Sequence, residues 1–462
     1  MNNSDKLSIR EKLGYGLGDT ASNLFFQFVN IFLLYYYTDV FGLSPAAVGT
    51  MFIAARFWDA INDPLMGAVA DRTNTRFGKY RPYLLWMAVP FGVMGYLCFA
   101  NPDLSQSGKL VYAYATYIGL MMIYTAINVP YSALMGVMTP NSAERTSLSS
   151  YRFVGAFGGM LLISLGVRPL VRELGGGDEA TGFKLTMALL SVIAVGLFMI
   201  TFFSTRERVA PQNEAGQSLK KDIGYLLKNR PWIIMVVAAV LTLSNVAVRG
   251  AVTAHFFKYY VGDTGEAVFW FLDKTSLVLT TGSIAFIIGI FFTGWFSKTF
   301  GKRNALMGLT VLNGITLLGF YFIPADAFGM MILVNIIGNL LAGPTPALVW
   351  AIYTDVADYG EWKFGRRTTG LVFSAAMFAQ KMGLTIGGGV SGWLLGYYGF
   401  VANQTQTDET ISGIRLMFSI LPGVLAIANG IVLLWYPLTE KDTAEIEAAL
   451  KERRDGTTPS TA

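Results

Sequence analysis

One strongly apolar segment, MFIAARFWDAINDPLMG, carries an unusual set of polar side chains. Arg56, Asp59 and Asp63 are spaced i, i+3 and i+7, so on an α-helix they share one face, with Asn62 beside them. Two carboxylates one turn apart repel each other when both are ionised, and a bound cation or proton relieves that repulsion. The pattern therefore predicts a cation-binding pair at Asp59 and Asp63. The alternative is a structural Arg56–Asp59 ion pair, with Asp63 capping toward the next loop.

Ionisable residues also interrupt other apolar segments. Asp19 lies in GLGDTASN, Arg152 in SSYRFVGAFGG and Lys381 in FAQKMGLTIGGG. The segment YTAINVPYSA adds a mixed polar set, namely Thr125, Asn128, Pro130, Tyr131 and Ser132. Sugar hydroxyls both donate and accept hydrogen bonds, and charged partners give them the stronger bonds. We therefore predict a sugar site built from these residues, with Tyr131 available to stack on a sugar ring. The alternative is a set of helix–helix ion pairs.

Two arginines within apolar segments are assigned to a charge network rather than to a ligand. Arg56 lies within reach of Asp59 on the same helix face, and Arg249, in NVAVRGAV, is expected to pair with a neighbouring acid. Burying an ionisable group in a membrane span costs at least about 2.5–3.5 kcal/mol on insertion scales. Each such group therefore needs a partner or a ligand.

Two residue types that often build active sites occur only once. Cys98 is the single cysteine, which excludes an internal disulfide and a thiolate metal cluster. His255 is the single histidine, which argues against zinc sites made of several imidazoles, and we interpret it as an amphipathic residue near a membrane interface. The sequence also lacks a P-loop, an HExxH helix and a GxSxG elbow, so we predict that the protein is not an enzyme. Without an ATP site, an ion gradient is the expected energy source.

The composition places these polar residues in membrane-spanning helices. Of the 462 residues, 53% are apolar and 14% are charged, against about 25% charged residues in soluble domains. A membrane-spanning helix needs about 20 largely apolar residues. Twelve stretches qualify, which predicts an all-α integral membrane protein with spans at about 14–37, 46–69, 83–100, 110–138, 151–170, 183–203, 231–260, 275–297, 305–323, 330–355, 368–398 and 411–436.

The twelve stretches divide into two sets of six around one polar segment. We predict an N-terminal six-helix bundle at 1–203, a cytoplasmic linker at 204–230, a C-terminal six-helix bundle at 231–436 and a cytoplasmic tail at 437–462. The termini and the even-numbered loops hold 24 of the 35 Lys and Arg residues, which predicts that both termini are cytoplasmic. The net charge of +5 is therefore a topology signal, and no nucleic-acid partner is expected.

The two halves also share a turn sequence. DRTNTRFGKYRP follows the second apolar stretch and SKTFGKRNA follows the eighth. The common FGK–R pattern indicates duplication, with two halves related by an axis along the membrane normal and a cavity at their interface. Basic, glycine-containing loops without a common origin are the alternative.

Four segments together resemble one transporter family. RFWDAINDPLMGAVADRTNTRFGKYRPYLLW, YGLGDTASN, YYYTDVFGLS and TDVADYGEWKFGRRTTG are similar to the glycoside–pentoside–hexuronide:cation symporters of the major facilitator superfamily, which include melibiose permease. The resemblance covers essentially the whole chain. It implies a monomeric, multi-pass protein of the cytoplasmic (inner) membrane that imports a glycoside by alternating access, in symport with Na⁺, H⁺ or Li⁺ and without a cofactor.

The resemblance also implies roles for individual residues. The cation site of the family would correspond to Asp59, Asp63, Asn62 and Thr125, and because all four oxygen-bearing positions are present we favour Na⁺ slightly over H⁺. The sugar site would include Asp19, Arg152 and Lys381.

Three positions depart from the pattern of melibiose permease. Asn128 replaces an aspartate that binds sugar there, Ser132 replaces a tryptophan that packs on the sugar ring, and Met377 replaces a threonine. These changes argue against an α-galactoside. A neutral glycoside or pentoside such as a xyloside, or a hexuronide bound with the help of Arg152 and Arg249, both stay open. An exporter or lysolipid carrier on the same fold is the alternative function.

Overall fold

The computed structural model describes residues 6–139, 141–208, 224, 226–365 and 369–454. Much of the predicted linker 204–230, the end of the predicted tail 437–462, and Arg366 and Arg367 of the tenth loop lie outside the described residues. Secondary structure in the described part of the chain is helical, apart from two isolated β-bridges, Thr75 with Gly78 and Phe269 with Leu272. The prediction of an all-α protein is confirmed.

The first half of the chain folds into six long helices. Their bounds are α1 Ile9–Tyr35 with a π-helical turn at Tyr36–Val40, α2 Pro45–Arg72, α3 Arg81–Cys98, α4 Gln106–Met138, α5 Ser142–Gly175 and α6 Glu179–Ser204. Serines begin several of them. Ser8 and Glu11 form a reciprocal capping box at α1, and the Ser44 side chain accepts the Ala47 N–H at α2. These caps satisfy backbone donors that the first turn of a helix leaves without partners.

The second half repeats this pattern with more interruptions. Its helices are α7 Arg230–His255 with a π-helical turn at Phe256–Tyr260, α8 Lys274–Phe291, α9 Thr293–Phe300, α10 Lys302–Phe320, α11 Phe328–Ala342, α12 Thr345–Phe364, α13 Thr369–Tyr397, α14 Asp408–Arg415 with a π-helical turn at Leu416–Ile420, α15 Leu421–Leu434 and α16 Glu440–Arg454. Within the described residues, each predicted span is helical. The eighth is divided between α8 and α9, and the tenth between α11 and α12 just before Thr345, where Pro344 cannot donate a backbone hydrogen bond.

Seven helical segments of the described chain are long and apolar enough by themselves to cross a membrane, namely Gln106–Met138, Ser147–Gly175, Glu179–Ser204, Arg230–Tyr260, Lys274–Phe291, Phe328–Phe364 and Asp408–Leu434. The helices of at least 18 residues outside this set are α1, α2, α3, α10 and α13. Three of them carry intramembrane charges, namely Asp19 on α1, the Arg56–Asp63 cluster on α2 and Lys381 on α13. Charges inside membrane-spanning helices need a partner or a ligand.

The shared FGK turn has the same construction after α2 and after α9. Gly78 and Gly301 both have positive φ, 109° and 77°, a conformation that favours glycine. A Cβ atom at Gly78 would lie 2.5 Å from Glu207 Cδ, and one at Gly301 would lie 2.8 Å from Glu440 Cγ. In each case a glutamate that follows the last span of its half covers the glycine.

Both glutamates then bind the start of the next helix. The Glu207 carboxylate accepts the N–H groups of Lys79, Tyr80 and Arg81 at 2.8–3.0 Å. Glu440 Oε1 accepts the N–H of Lys302 at 2.5 Å. A carboxylate is favourable at a helix N-terminus because the first N–H groups and the helix dipole point toward it. The repetition of the whole device, turn and cap together, supports the prediction of a duplicated chain.

The described residues form two compact units. Unit one contains those of 1–213, 250–283 and 388–414, and unit two contains those of 214–249, 284–387 and 415–462. Unit one thus holds α1–α6, and the unit boundaries also cut through α8 and α13. The predicted division at 204–230 concerns helix bundles rather than these compact units and stays a prediction.

Candidate functional site

Close backbone contact between α1 and α5 positions the first pair of charges. A Cβ atom at Gly155 would lie 2.2 Å from the Gly16 carbonyl oxygen, so these helices touch through glycine, and Thr20 Oγ1 donates to the Gly155 carbonyl at 3.0 Å. Small residues that let backbones approach are the usual basis of helix packing in membranes. The glycines of the motifs GLGDT and GAFGG therefore let α1 and α5 approach closely enough for Asp19 and Arg152 to form a bond.

Asp19 and Arg152 form a partly exposed ion pair in that contact. Arg152 Nε donates to Asp19 Oδ2 at 2.8 Å, with 26% and 15% of the two side chains exposed. This bond uses one nitrogen and one oxygen, so both Nη atoms of Arg152 and Oδ1 of Asp19 take no part in it. Together the two predicted sugar ligands can offer donors and acceptors to hydroxyl groups.

Two tyrosines lie beside this pair. The Tyr15 and Tyr131 rings stack at 4.7 Å between centroids, and Arg152 Cζ lies 5.1 Å from the Tyr131 centroid and 6.0 Å from that of Tyr15. Both tyrosine side chains are fully buried, with 0% of each exposed. The structure thus brings Tyr131 to the predicted sugar ligands, but as a buried neighbour of Arg152.

Asn128 is held in place from both ends of its amide. Ser22 Oγ donates to Asn128 Oδ1 at 2.8 Å, and Asn128 Nδ2 donates to the Tyr124 carbonyl at 3.0 Å. Ser132 is half-buried on the same helix, one turn further along. Met377, the third position that departs from the melibiose permease pattern, lies in unit two and is 47% exposed.

The four predicted cation ligands lie on α2 and α4 of unit one. Arg56 Nη1 donates to Asp59 Oδ2 at 3.1 Å, and the Asp59 side chain is only 4% exposed. Thr125 Oγ1 donates to Asp63 Oδ1 at 2.8 Å, which joins the second carboxylate to α4. Asn62 is half-buried next to Asp63 in the chain. The Arg56–Asp59 ion pair is therefore present, and Thr125 and Asp63 are joined, whereas the four-residue cation site stays a prediction.

Arg249 and Lys381 belong to unit two and are described within it. The Arg249 guanidinium carbon lies 4.3 Å from the Phe418 ring centroid and 5.2 Å from that of Phe320, and its Nη2 donates to Asn335 Oδ1 at 3.3 Å. Arg249 thus contacts aromatic faces and an amide, and its pairing with an acid stays a prediction. Lys381 is half-buried on α13, and its carbonyl accepts the Thr385 hydroxyl at 2.8 Å.

A second charged cluster in unit one was not predicted. The Asp39 carboxylate lies 3.0 Å from Lys258 Nζ and 3.3 Å from His255 Nε2, and it accepts a short hydrogen bond from the Tyr259 hydroxyl. His255 is completely buried, so the interpretation of this residue as an amphipathic interface side chain is wrong. The available signal was weak: Asp39 lies two residues after the predicted span 14–37, and Lys258 lies in the last turn of the predicted span 231–260.

The helical architecture with charges inside its spans is typical of a multi-pass membrane transporter. Among solved structures, the crystal structure of the nucleoside transporter NupG matches with a TM-score of 0.62 at 15% identity, covering 93% of this chain and 100% of that chain. At this identity the likeness shows the fold alone.

The chain belongs to the MFS/sugar transport protein family, whose model matches residues 14–440. It is 38% identical over 446 residues to the inner membrane symporter YicJ of Escherichia coli (strain K12), covering 94% of this chain and 93% of YicJ. It is 37% identical over 436 residues to the isoprimeverose transporter of Lactiplantibacillus pentosus, covering 92% and 88%. The predicted membership of the glycoside–pentoside–hexuronide:cation symporters is confirmed. The protein is a sugar symporter of the cell membrane and not an enzyme.

Proposed function

We propose that this protein imports a neutral glycoside in symport with one monovalent cation, by alternating access. The observation that carries the proposal is the ion pair of Asp19 and Arg152, which is partly exposed and joined by a single hydrogen bond of 2.8 Å. Because the pair is partly exposed, sugar hydroxyls can replace the water around it. Asp19 and Arg152 stay paired with each other during this replacement, so each charge keeps its counter-charge. Asn128 and Tyr131 complete the proposed set of sugar-binding and supporting residues in unit one.

The charge balance favours a neutral sugar over a hexuronide. Asp19 neutralises Arg152, and Asn128 is uncharged, so these three residues carry no net charge. Arg249 contacts two phenylalanine rings and Asn335 in unit two and is not part of this set. A carboxylated sugar would find no surplus positive charge at Asp19–Arg152. The relative named as an isoprimeverose transporter further supports a glycoside substrate.

The cation is proposed to bind between Asp59 and Asp63, with Asn62 and Thr125 as further oxygen ligands. Arg56 balances one of the two carboxylates through its 3.1 Å contact with Asp59. The cluster of one guanidinium and two carboxylates therefore has a net charge of −1, which one monovalent cation neutralises. Four oxygen-bearing side chains suit Na⁺, whereas a carboxylate pair alone would also hold a proton. We favour Na⁺ on this ground, with Li⁺ as a possible substitute ion and no cofactor.

Sugar and cation binding are coupled in this proposal through α4. Thr125, bonded to Asp63, and Asn128, bonded to Ser22 of α1, lie one turn apart on that helix. Movement of α4 toward a bound cation would therefore shift Asn128 relative to α1 and change the positions of the sugar-binding side chains. Such coupling is reciprocal and typically amounts to about 1–3 kcal/mol. One charge crossing 100 mV adds about 2.3 kcal/mol for accumulation. We further propose that the protein works as a monomer with both termini in the cytoplasm.

The deciding experiment is uptake of labelled sugars into membrane vesicles under separately imposed Na⁺ and H⁺ gradients. The panel contains isoprimeverose, another xyloside, an α-galactoside and a glucuronide, with a labelled lysolipid as a further arm. Accumulation of a neutral glycoside under an inward Na⁺ gradient is the expected result. Accumulation of the glucuronide alone would overturn the neutral substrate. Efflux without uptake, or lysolipid movement alone, would support the exporter or lipid-carrier alternative.

A substitution tests the cation site separately. Asp59→Cys should abolish stimulation by the cation gradient while leaving some sugar binding, because it removes one of the two carboxylates but none of the sugar ligands. Asp103→Cys is the matched control, since Asp103 is an exposed aspartate in the loop before α4. Full cation stimulation in Asp59→Cys would contradict the assignment.

A further inference from the structure

Tyr15 of α1 and Tyr131 of α4 form a mutually locked pair. Their rings stack with an interplanar angle of 25°, the Tyr131 hydroxyl donates to the Tyr15 carbonyl at 2.5 Å, and the Tyr15 hydroxyl donates to the Tyr131 carbonyl at 3.1 Å. Each ring is thus fixed both by stacking and by a bond to the backbone of the other helix. Reciprocal side-chain-to-backbone bonds of this kind leave the two rings little rotational freedom.

The helix backbone is shaped to receive this pair. A Cβ atom at Gly18 would lie 2.6 Å from Tyr131 Cε2, so the ring occupies space that glycine leaves on α1. Gly18 directly precedes Asp19 in the chain. Gly18, which makes room for the Tyr131 ring, and Asp19, which binds Arg152, are therefore consecutive residues. The position of the ring on α1 is thus tied to the position of the Asp19 carboxylate.

The guanidinium of Arg152 lies over this pair. Its central carbon is 5.1 Å from the Tyr131 centroid and 6.0 Å from the Tyr15 centroid, within the range of a cation–π interaction. An arginine side chain has many rotamers, and holding it still before the ligand arrives lowers the entropy lost on binding. The aromatic pair supplies that restraint on one side and Asp19 supplies it on the other.

We propose that Tyr15 and Tyr131 are positioning residues that hold the Arg152 guanidinium in its sugar-binding orientation, an inference that rests on the proposed function. Because neither ring has exposed surface, Tyr131 acts through Arg152 and does not stack on the sugar. Specificity for sugar hydroxyls then depends on two buried rings that never touch the sugar.

The test compares Tyr131→Leu with a matched control at another stacked aromatic pair, which includes Phe25 of α1. Phe25 stacks on Phe91 at 4.0 Å and 27°, and a Cβ atom at Gly95 would lie 2.1 Å from Phe25 Cε1, so this pair copies the stacking and the glycine seat. Within the described residues, no guanidinium or ammonium lies over it. Tyr131→Leu should raise the sugar KM about tenfold and leave the cation concentration for half-maximal stimulation unchanged. Phe25→Leu should change the amount of folded protein but not KM.

A second measurement avoids the risk that Tyr131→Leu fails to fold. Phenylalanine at position 131 and its progressively fluorinated analogues keep the ring shape and weaken the negative ring face step by step. The sugar KM should rise with each added fluorine. An equal KM across the series, or an equal rise of KM in Phe25→Leu, would overturn the inference.

Arg152→Ala separates this inference from the proposed function. A wild-type KM in Arg152→Ala would refute the sugar site itself. A raised KM in Arg152→Ala together with wild-type values in every Tyr131 variant would refute only the positioning role and leave the proposed sugar site in place.

Discussion

Unit one contains two charged clusters that differ in how completely their charges are satisfied. In the Asp19–Arg152 cluster a single 2.8 Å bond joins the charges, and both side chains keep exposed surface. In the Asp39 cluster the carboxylate has no exposed side-chain surface and bonds to Lys258, Tyr259 and Thr38. His255 lies 3.3 Å away and is equally buried. The Asp19 carboxylate can therefore accept further hydrogen bonds, whereas the oxygens of the Asp39 carboxylate are already bonded to protein groups.

This difference separates a binding role from a structural one. A carboxylate surrounded by protein donors holds segments together, because any ligand would first have to break those bonds. Asp39 joins residues that are far apart in the sequence, with Lys258 more than two hundred positions away and the Asn403 amide donating to the Asp39 carbonyl at 2.6 Å. The partly satisfied pair at Asp19 can accept hydroxyl groups instead. Removing each carboxylate should therefore affect different properties.

The largest effect is expected for Asp39→Asn. It removes the charge that Lys258 and Tyr259 bind while keeping the size of the side chain, so the free energy of unfolding should fall by about 3–5 kcal/mol. Thermal unfolding in detergent measures this, with Asp103→Asn as the exposed control. The comparison fails if Asp39→Asn melts at the wild-type temperature.

Asp19→Asn should have the opposite profile. It weakens the bond to Arg152 and removes a charged acceptor for sugar hydroxyls, so uptake should fall about 100-fold, whereas the melting temperature should change little. Sugar uptake and thermal unfolding are measured on the same preparation. A variant that loses stability as strongly as Asp39→Asn would show that the Asp19 pair is structural too, and the distinction between the clusters would be lost.

A smaller effect is expected at Asn128, which borders the Asp19 cluster. Asn128→Asp keeps the bond from Ser22 but places a carboxylate oxygen against the Tyr124 carbonyl, which can only accept. The loss of that bond and the added charge should raise the KM of the wild-type substrate about tenfold. Competition by the same sugar panel would show whether the new carboxylate admits an α-galactoside. Asn128→Ser, which adds no charge, is the control for loss of the amide alone.

The two clusters also show what a sequence can and cannot predict. The apolar spans and the FGK turns follow from local patterns, and Asp19 and Arg152 stand out because a charge in an apolar run needs a partner or a ligand. That these two residues bond to each other does not follow from a local pattern, since they lie 133 positions apart. The Asp39 cluster was missed because its partners come from distant parts of the chain and lie at span ends, where charges are common. Tyr15 was missed for a different reason: a tyrosine in an apolar helix carries no sign of what its ring will contact.

The smallest effect concerns pH and again tests the Asp39 cluster. The Asp39 carboxylate has no exposed side-chain surface, and the Lys258 ammonium at 3.0 Å stabilises its ionised form. His255 Nε2, at 3.3 Å, adds to this attraction when the imidazole is protonated. Ionised Asp39 therefore stabilises the fold, and this contribution is lost when acid protonates the carboxylate. The difference in melting temperature between wild type and Asp39→Asn should stay large down to about pH 5 and shrink below about pH 4. A difference that is unchanged at about pH 3 would show that the charge of Asp39 does not stabilise this cluster.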